Sequence, residues 1–164
     1  MSYIDTSVIV AALDPLDPKF KRARDFLEKE GGIISELVLA ELASVVARRE
    51  EVVSDLASKL GLSSEETIIA ILLYILKRFN LKYKSVDSQA RLPLIGKIYK
   101  PIAKAIELSS RIKLRTLDLL HIAYAKLIKD KGEHIQRLVT ADKDFERAQE
   151  ILKEEIGIGL YVIQ

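Results

Sequence analysis

Four acidic residues stand out by their surroundings. Asp5 closes the run Tyr3-Ile4, and Asp142 follows Leu138-Val139-Thr140-Ala141. Both read as acids at the carboxyl end of a strand, the edge at which open parallel sheets bind ligands. The plainer alternative is that each caps the helix after it. Glu41 lies within a helical pattern, with Leu37, Val38, Ser44 and Val45 three and four residues away. A carboxylate on so apolar a face is unusual, because unpaired charge is rarely buried. Its bland reading is a glutamate at the edge of the apolar stripe. Asp118, in Leu117-Asp118-Leu119-Leu120-His121-Ile122-Ala123, falls in the first turn of a helix that Thr116 can cap. The helix dipole favours an acid there, and the same place lets the helix hold it over a site.

If these four acids share one cleft, they repel one another and cannot all stay ionised without compensation. A divalent cation supplies it. Oxygen ligands favour magnesium, calcium or manganese over zinc, and the chemistry implied is metal-assisted attack of water on a phosphodiester, with one or two ions.

The elements that must position these residues alternate short strands with helices. Ser2 to Asp5 reads as a strand and Thr6 to Leu13 as a helix. Asp17-Pro18 opens a helix that runs to about Glu30 and stops at Gly31-Gly32. Ile33-Ile34 is a minimal strand, and Ser35 caps a helix from Glu36 to about Arg49. Residues 50 to 63 suggest a helical turn or two ending at Gly61, and a helix from Ser63 or Ser64 reaches about Phe79. Lys82 to Val86 alternates as a strand does, and Asp87 to Pro93 is expected to be a loop. A helical pattern runs from about Ile95 to Ile112, with a kink or restart at Pro101. Further helices are expected over Thr116 to Lys131 and Lys143 to Glu154, and strands over Arg137 to Thr140 and Ile158 to Ile163. Strands separated by helices imply parallel crossover units and a covered central sheet.

The chain has 164 residues, 49% apolar and 30% charged, which suits one folded domain spanning residues 1–164. Lys and Arg total 26 against 24 Asp and Glu, so a polyanion must be met by a local patch rather than by bulk charge. The chain contains no cysteine, which excludes disulfides, thiolate zinc sites and cysteine nucleophiles. The first residues do not read as a signal peptide. The longest apolar run, Ile68 to Leu76, is far short of the roughly 20 residues that span a bilayer. The expectation is a cytoplasmic protein with no membrane partner.

Four segments in register carry a family resemblance: Tyr3-Ile4-Asp5-Thr6-Ser7-Val8, Ser35-Glu36-Leu37-Val38-Leu39-Ala40-Glu41-Leu42, Leu117-Asp118-Leu119-Leu120-His121-Ile122-Ala123, and Val139-Thr140-Ala141-Asp142-Lys143-Asp144-Phe145. The chain resembles PIN domains and, among them, the VapC-type toxin ribonucleases of toxin–antitoxin pairs. The resemblance is weakest over Arg49 to Ser63 and Asp87 to Gly96. It implies an α/β three-layer sandwich: a central parallel sheet of about four to five strands with helices on both faces. It also implies endonuclease activity on RNA with Mg2+ (or Mn2+), an antitoxin protein as partner, and a homodimer. By motif position Asp5, Glu41, Asp118 and Asp142 are the catalytic, metal-binding acids. Asp144 is a candidate assistant. Thr6 and Thr140 could orient a water or phosphate, although capping or local backbone bonding is the preferred role for both.

His121 is a candidate base or metal ligand. The preferred reading is that it packs beside the site, since hard cations favour oxygen. Two basic stretches, Lys77, Arg78, Lys82 and Lys84, then Lys97, Lys100, Lys104, Arg111, Lys113 and Arg115, could position a phosphate backbone, or are solvated surface. Tyr83 and Tyr99 are either base-stacking or half-buried packing groups. The helix from Ser64 is apolar on more than one face, as in a buried helix or a dimer interface. Rival functions are a phosphatase that uses an aspartyl nucleophile, a DNA flap-type nuclease and a silent PIN-like binding module. The phosphatase pattern requires a second aspartate where this chain has Ser7.

Overall fold

Short apolar runs separated by amphipathic helices produce five parallel strands. The computed structural model describes residues 1–164. In chain order the elements are β1 (Ser2–Ile4), α1 (Thr6–Leu13), α2 (Phe20–Glu30), β2 (Gly32–Ile34), α3 (Glu36–Ala47), α4 (Glu50–Leu60) and α5 (Ser64–Arg78). Then come β3 (Leu81–Tyr83), β4 (Gln89–Leu92), β5 (Gly96–Tyr99), α6 (Lys100–Ser109), α7 (Thr116–Asp130), β6 (Arg137–Thr140), a helical segment from Lys143 to Ile156, and β7 (Gly159–Val162). The sheet runs β3-β2-β1-β6-β7, every neighbouring pair parallel.

Successive side chains on a strand face opposite sides of the sheet. Tyr3 and Ile4, Ile33 and Ile34, and Leu138 and Val139 are all fully buried, so helices cover both faces of the three central strands. This is the expected α/β sandwich. No helix is long and apolar enough to cross a membrane. The Gly31-Gly32 pair lets β2 close against its neighbours. Gly31 has φ +60, and a Cβ there would meet the Asn80 carbonyl oxygen at 2.6 Å. A Cβ on Gly32 would press into the Ile4 side chain. Tight docking of β2 beside β1 is what brings α3, and with it Glu41, alongside Asp5.

Several expected elements differ. The loop expected over Asp87 to Pro93 and the first turn of the helix expected from Ile95 form instead an antiparallel hairpin, β4 with β5. Pro93 belongs to the hairpin turn, with Leu94 beside it at φ +65. The helix starts at Lys100, and Pro101 sits in its first turn, where its missing N–H costs nothing. Residues 50–60 form a full helix that ends at a left-handed Gly61. Asp17 caps as expected, its side chain accepting from the Lys19 amide, but Pro18 and Lys19 form a turn and the α-helix proper begins at Phe20. The helix expected from Lys143 to Glu154 opens as 3-10 helix over Lys143–Ala148, which aligns the buried Phe145 and Ala148. A short α segment and a π turn follow.

Candidate metal centre

The order of the sheet puts β1 and β6 side by side, so their carboxyl ends deliver Asp5 and Asp142 to one edge. α3 enters that edge from β2 and supplies Glu41. The first turn of α7 supplies Asp118. These four acids line one cleft of about 940 Å3 together with Thr6, Ser7 and His121.

Asp5 precedes α1, yet its side chain makes no capping bond. It is nearly buried and faces the cleft instead. Ser7 Oγ and Thr140 Oγ1 donate to Asp5 Oδ2 at 2.5 and 2.6 Å. Thr140 Oγ1 also accepts from the Asp142 amide at 3.0 Å, and Ser7 Oγ accepts from the Ala141 amide at 3.0 Å. Two hydroxyls thus tie the start of α1 to the end of β6. Glu41 receives a short hydrogen bond from Thr6 Oγ1 and a second contact from His121 Nε2 at 2.9 Å. Thr6 therefore acts on an acid rather than on its own backbone, and Thr140 does both.

His121 is only 2% exposed. Its Nε2 lies 3.1 Å from Asp5 Oδ1 as well as 2.9 Å from Glu41 Oε2, so it bridges two acids of different elements. Its Nδ1 lies 3.2 Å from the Tyr3 hydroxyl, which is 2.8 Å from Ser35 Oγ. Burial alone would lower the histidine's pKa, but the Glu41 hydrogen bond and the charges of Asp5, Glu41 and Asp118 outweigh it, so the pKa is raised. Burial likewise works against ionised Glu41, and the bonds from His121 and Thr6 reverse that, leaving its carboxyl below the usual range.

Asp118 lacks such support. Asp118 Oδ2 is buried with no hydrogen-bond partner. Burial, then the neighbouring charges of Asp142 and Asp5, push the Asp118 carboxyl above its usual value. Asp142 caps the following 3-10 segment through Oδ1, which accepts from the Asp144 amide at 2.9 Å. Asp144 itself does not line the cleft and faces Arg115 and Arg147.

The donor set fits a hard or borderline divalent cation. One ligand atom from each of Asp5, Glu41 and His121 lies within 4.8 Å of the others. The orphaned oxygen of Asp118 is a fourth donor on the same cleft, and such a buried, unsatisfied carboxylate oxygen wants a cation.

Four cations share the cleft: Lys19, Arg48, Arg115 and Lys143. Lys19 is held by a short hydrogen bond to the Ala141 carbonyl. Only Arg115 belongs to the basic stretches read from the sequence. Of the others, Arg78, Lys84, Lys104 and Arg111 are paired with acids elsewhere on the surface. Tyr99 is a packing group, donating to Glu36 Oε1 at 2.9 Å. His121 is central where the sequence reading placed it to one side. The available signal was its spacing of three from Asp118, one helical turn on the same face. Lys19, Arg48 and Lys143 had no sequence signal, since each joins the cleft through tertiary packing.

A family model for the PIN domain matches residues 2–151. Among solved structures, the chain is similar to the VapBC2 of Rickettsia felis bound to a DNA fragment from their promoter, at 19% identity over 100% of both chains with a TM-score of 0.57. That likeness is one of fold. No curated protein matches the sequence.

Proposed function

The chain belongs to the PIN domain family, and on that premise we propose that it is a divalent-metal-dependent endoribonuclease. PIN domains are typically metal-dependent nucleases. In this reading residues 1–164 form a single nuclease domain, and Asp5, Glu41, Asp118 and Asp142 are its metal-binding and catalytic acids, with Mg2+ or Mn2+ as the cofactor. The observation that carries it is the convergence of four acids from four elements on one cleft, one of them with a buried oxygen left unsatisfied.

When bound, the cation supplies an activated water and neutralises charge that builds on the phosphate. The residues of the chain do the rest. Ser7, Thr140 and Thr6 fix the carboxylates of Asp5 and Glu41 in place before any ligand arrives. Lys19, Arg48 and Lys143 make no ion pair with any acid; Lys19 is held by the Ala141 carbonyl and Arg48 by Ser44 Oγ, and their unneutralised charges would meet phosphates on either side of the scissile one. Phosphate contacts carry no base information, so the cleft supports recognition of a backbone rather than a sequence.

The toxin role extends this reading by analogy with the similar VapBC2 complex: an antitoxin protein would be the partner, and the pair would work in the cytoplasm. A homodimer is favoured by the apolar residues that α5 leaves exposed, Ile69, Leu73 and Tyr74. Light scattering that gives a monomer at micromolar concentration would remove that part. The main test is cleavage of labelled RNAs and single-stranded DNAs with Mn2+, with EDTA, and by Asp142→Asn. RNA cut only by the unsubstituted chain with metal supports the proposal. Cleavage of DNA alone would move the substrate class, and no cleavage by a folded, partner-free, metal-binding chain would favour a binding role.

A further inference from the structure

We infer that His121 is a nitrogen ligand of the metal centre, so that the centre prefers a first-row transition dication over Mg2+; this rests on the metal-dependent reading above. The resemblance implies acids alone, and nothing in the four-acid pattern requires an imidazole. Three observations place one there.

The first is spacing. Adjacent ligands of an octahedral ion at about 2.1 Å lie about 3 Å apart. His121 Nε2 lies 3.1 Å from Asp5 Oδ1 and 2.9 Å from Glu41 Oε2. Nitrogen and oxygens already sit at the separation that a shared ion imposes, and the Nε2 proton shared with the acids in the metal-free chain is released to solvent as the ion binds.

The second is the far side of the ring. A metal-ligating histidine generally gives its other nitrogen to a fixed partner, which sets the tautomer and aims the ring. His121 Nδ1 lies 3.2 Å from the Tyr3 hydroxyl, and Tyr3 is fully buried with its hydroxyl 2.8 Å from Ser35 Oγ. Tyr3 comes from β1 and Ser35 from the junction of β2 and α3, so this support is built into the edge of the sheet and points Nε2 at the acids.

The third is burial. At 2% exposure the ring cannot swing out to water without opening the packing of α7 on the sheet. A cation held by Asp5 and Glu41 must therefore meet Nε2.

The consequence is selectivity. Mg2+ takes oxygen ligands and keeps several waters. Imidazole shifts preference towards transition ions along the Irving–Williams order.

The test uses Mn2+ with the full metal-free chain and does not depend on activity. Electron spin-echo modulation of bound Mn2+ is expected to show coupling to one histidine nitrogen, retained when the exposed His134 is changed to Gln and lost in His121→Gln. Glutamine keeps an oxygen donor near the Nε2 position, so the Mn2+ site survives. In competition titrations, the preference for Mn2+ over Mg2+ should fall by about tenfold or more in that variant, the scale on which ligand-shell changes act. Mn2+ bound to the unsubstituted chain without nitrogen coupling would overturn the inference and leave the nuclease proposal standing. A folded chain that binds no Mn2+ would overturn both.

Discussion

The two halves of the cleft are built differently. Asp5 and Glu41 are satisfied from within: Ser7, Thr140 and Thr6 donate to them and His121 bridges them. Asp142 is held only by the Asp144 amide, and Asp118 has no side-chain hydrogen bond. Asp118 keeps a buried oxygen without a partner and is pushed towards protonation by burial and by Asp142 and Asp5. One half holds its geometry whether or not a cation is present. In the proposed site, Asp118 would gain its compensation from a bound cation. Preorganisation and affinity are thereby divided between neighbouring acids of a single site.

The largest effect should not distinguish the halves at all. Asp5→Asn, Glu41→Gln, Asp118→Asn and Asp142→Asn should each slow metal-dependent RNA cleavage by roughly a thousandfold, the scale of losing several kcal/mol of metal-supplied stabilisation. Asp144→Asn, outside the cleft, should change the single-turnover rate little. A full loss in Asp144→Asn would redraw the site.

Stability should then separate them. Asp5→Ala leaves His121 paired with Glu41 alone and the Ser7 and Thr140 hydroxyls without their acceptor, and should lower the unfolding free energy of the metal-free chain by about 1–3 kcal/mol. Asp118→Asn removes a repelled charge and should leave metal-free stability unchanged or raised. Urea titrations in EDTA compare the two, and equal losses would break the contrast. A smaller effect is expected from Thr140→Val, which keeps strand propensity but removes the donor to Asp5 Oδ2. Calorimetry should show Mn2+ affinity weakened by about 10–100-fold with the fold retained.

pH gives the mildest probe. The pKa of His121 is raised on folding, so its contribution is complete below its ordinary value of 6.5 and is lost as pH rises through the folded value. Glu41 is lowered, so its contribution is present above 4.5 and is lost as pH falls through its folded value. Thermal melts in EDTA should therefore show highest stability between these limits and a decline on the alkaline side. Asn at Asp5 should blunt that decline. A flat profile above pH 6.5 would mean that the charged imidazole does not link the two acids.

The strand-end acids and the buried Glu41 were legible because each breaks a local pattern: a carboxylate after a strand, or one on an apolar helical face. The parallel sheet followed from strands alternating with helices. The hairpin over residues 89–99 was not legible, since Pro93 marks a loop and the turn it makes depends on the strands pairing around it. His121 is visible in the sequence but its role is not, because one sequence cannot show that Tyr3 of β1 and Ser35 at the start of α3 meet behind its ring. Lys19 reached the cleft only through its bond to the Ala141 carbonyl, which no local pattern announces.

In the proposed reaction water, activated at these carboxylates, cuts the phosphodiester. The direct measurement is the chemistry of the cut ends, using an RNA oligonucleotide and its counterpart with a 2′-deoxy sugar at the cleaved position, at saturating Mn2+. The expected result is linear phosphate and hydroxyl ends from both, with no 2′,3′-cyclic phosphate. A cyclic phosphate, or a substrate that resists cleavage once its 2′-hydroxyl is removed, would show that the ribose and not water is the nucleophile, and would contradict the account.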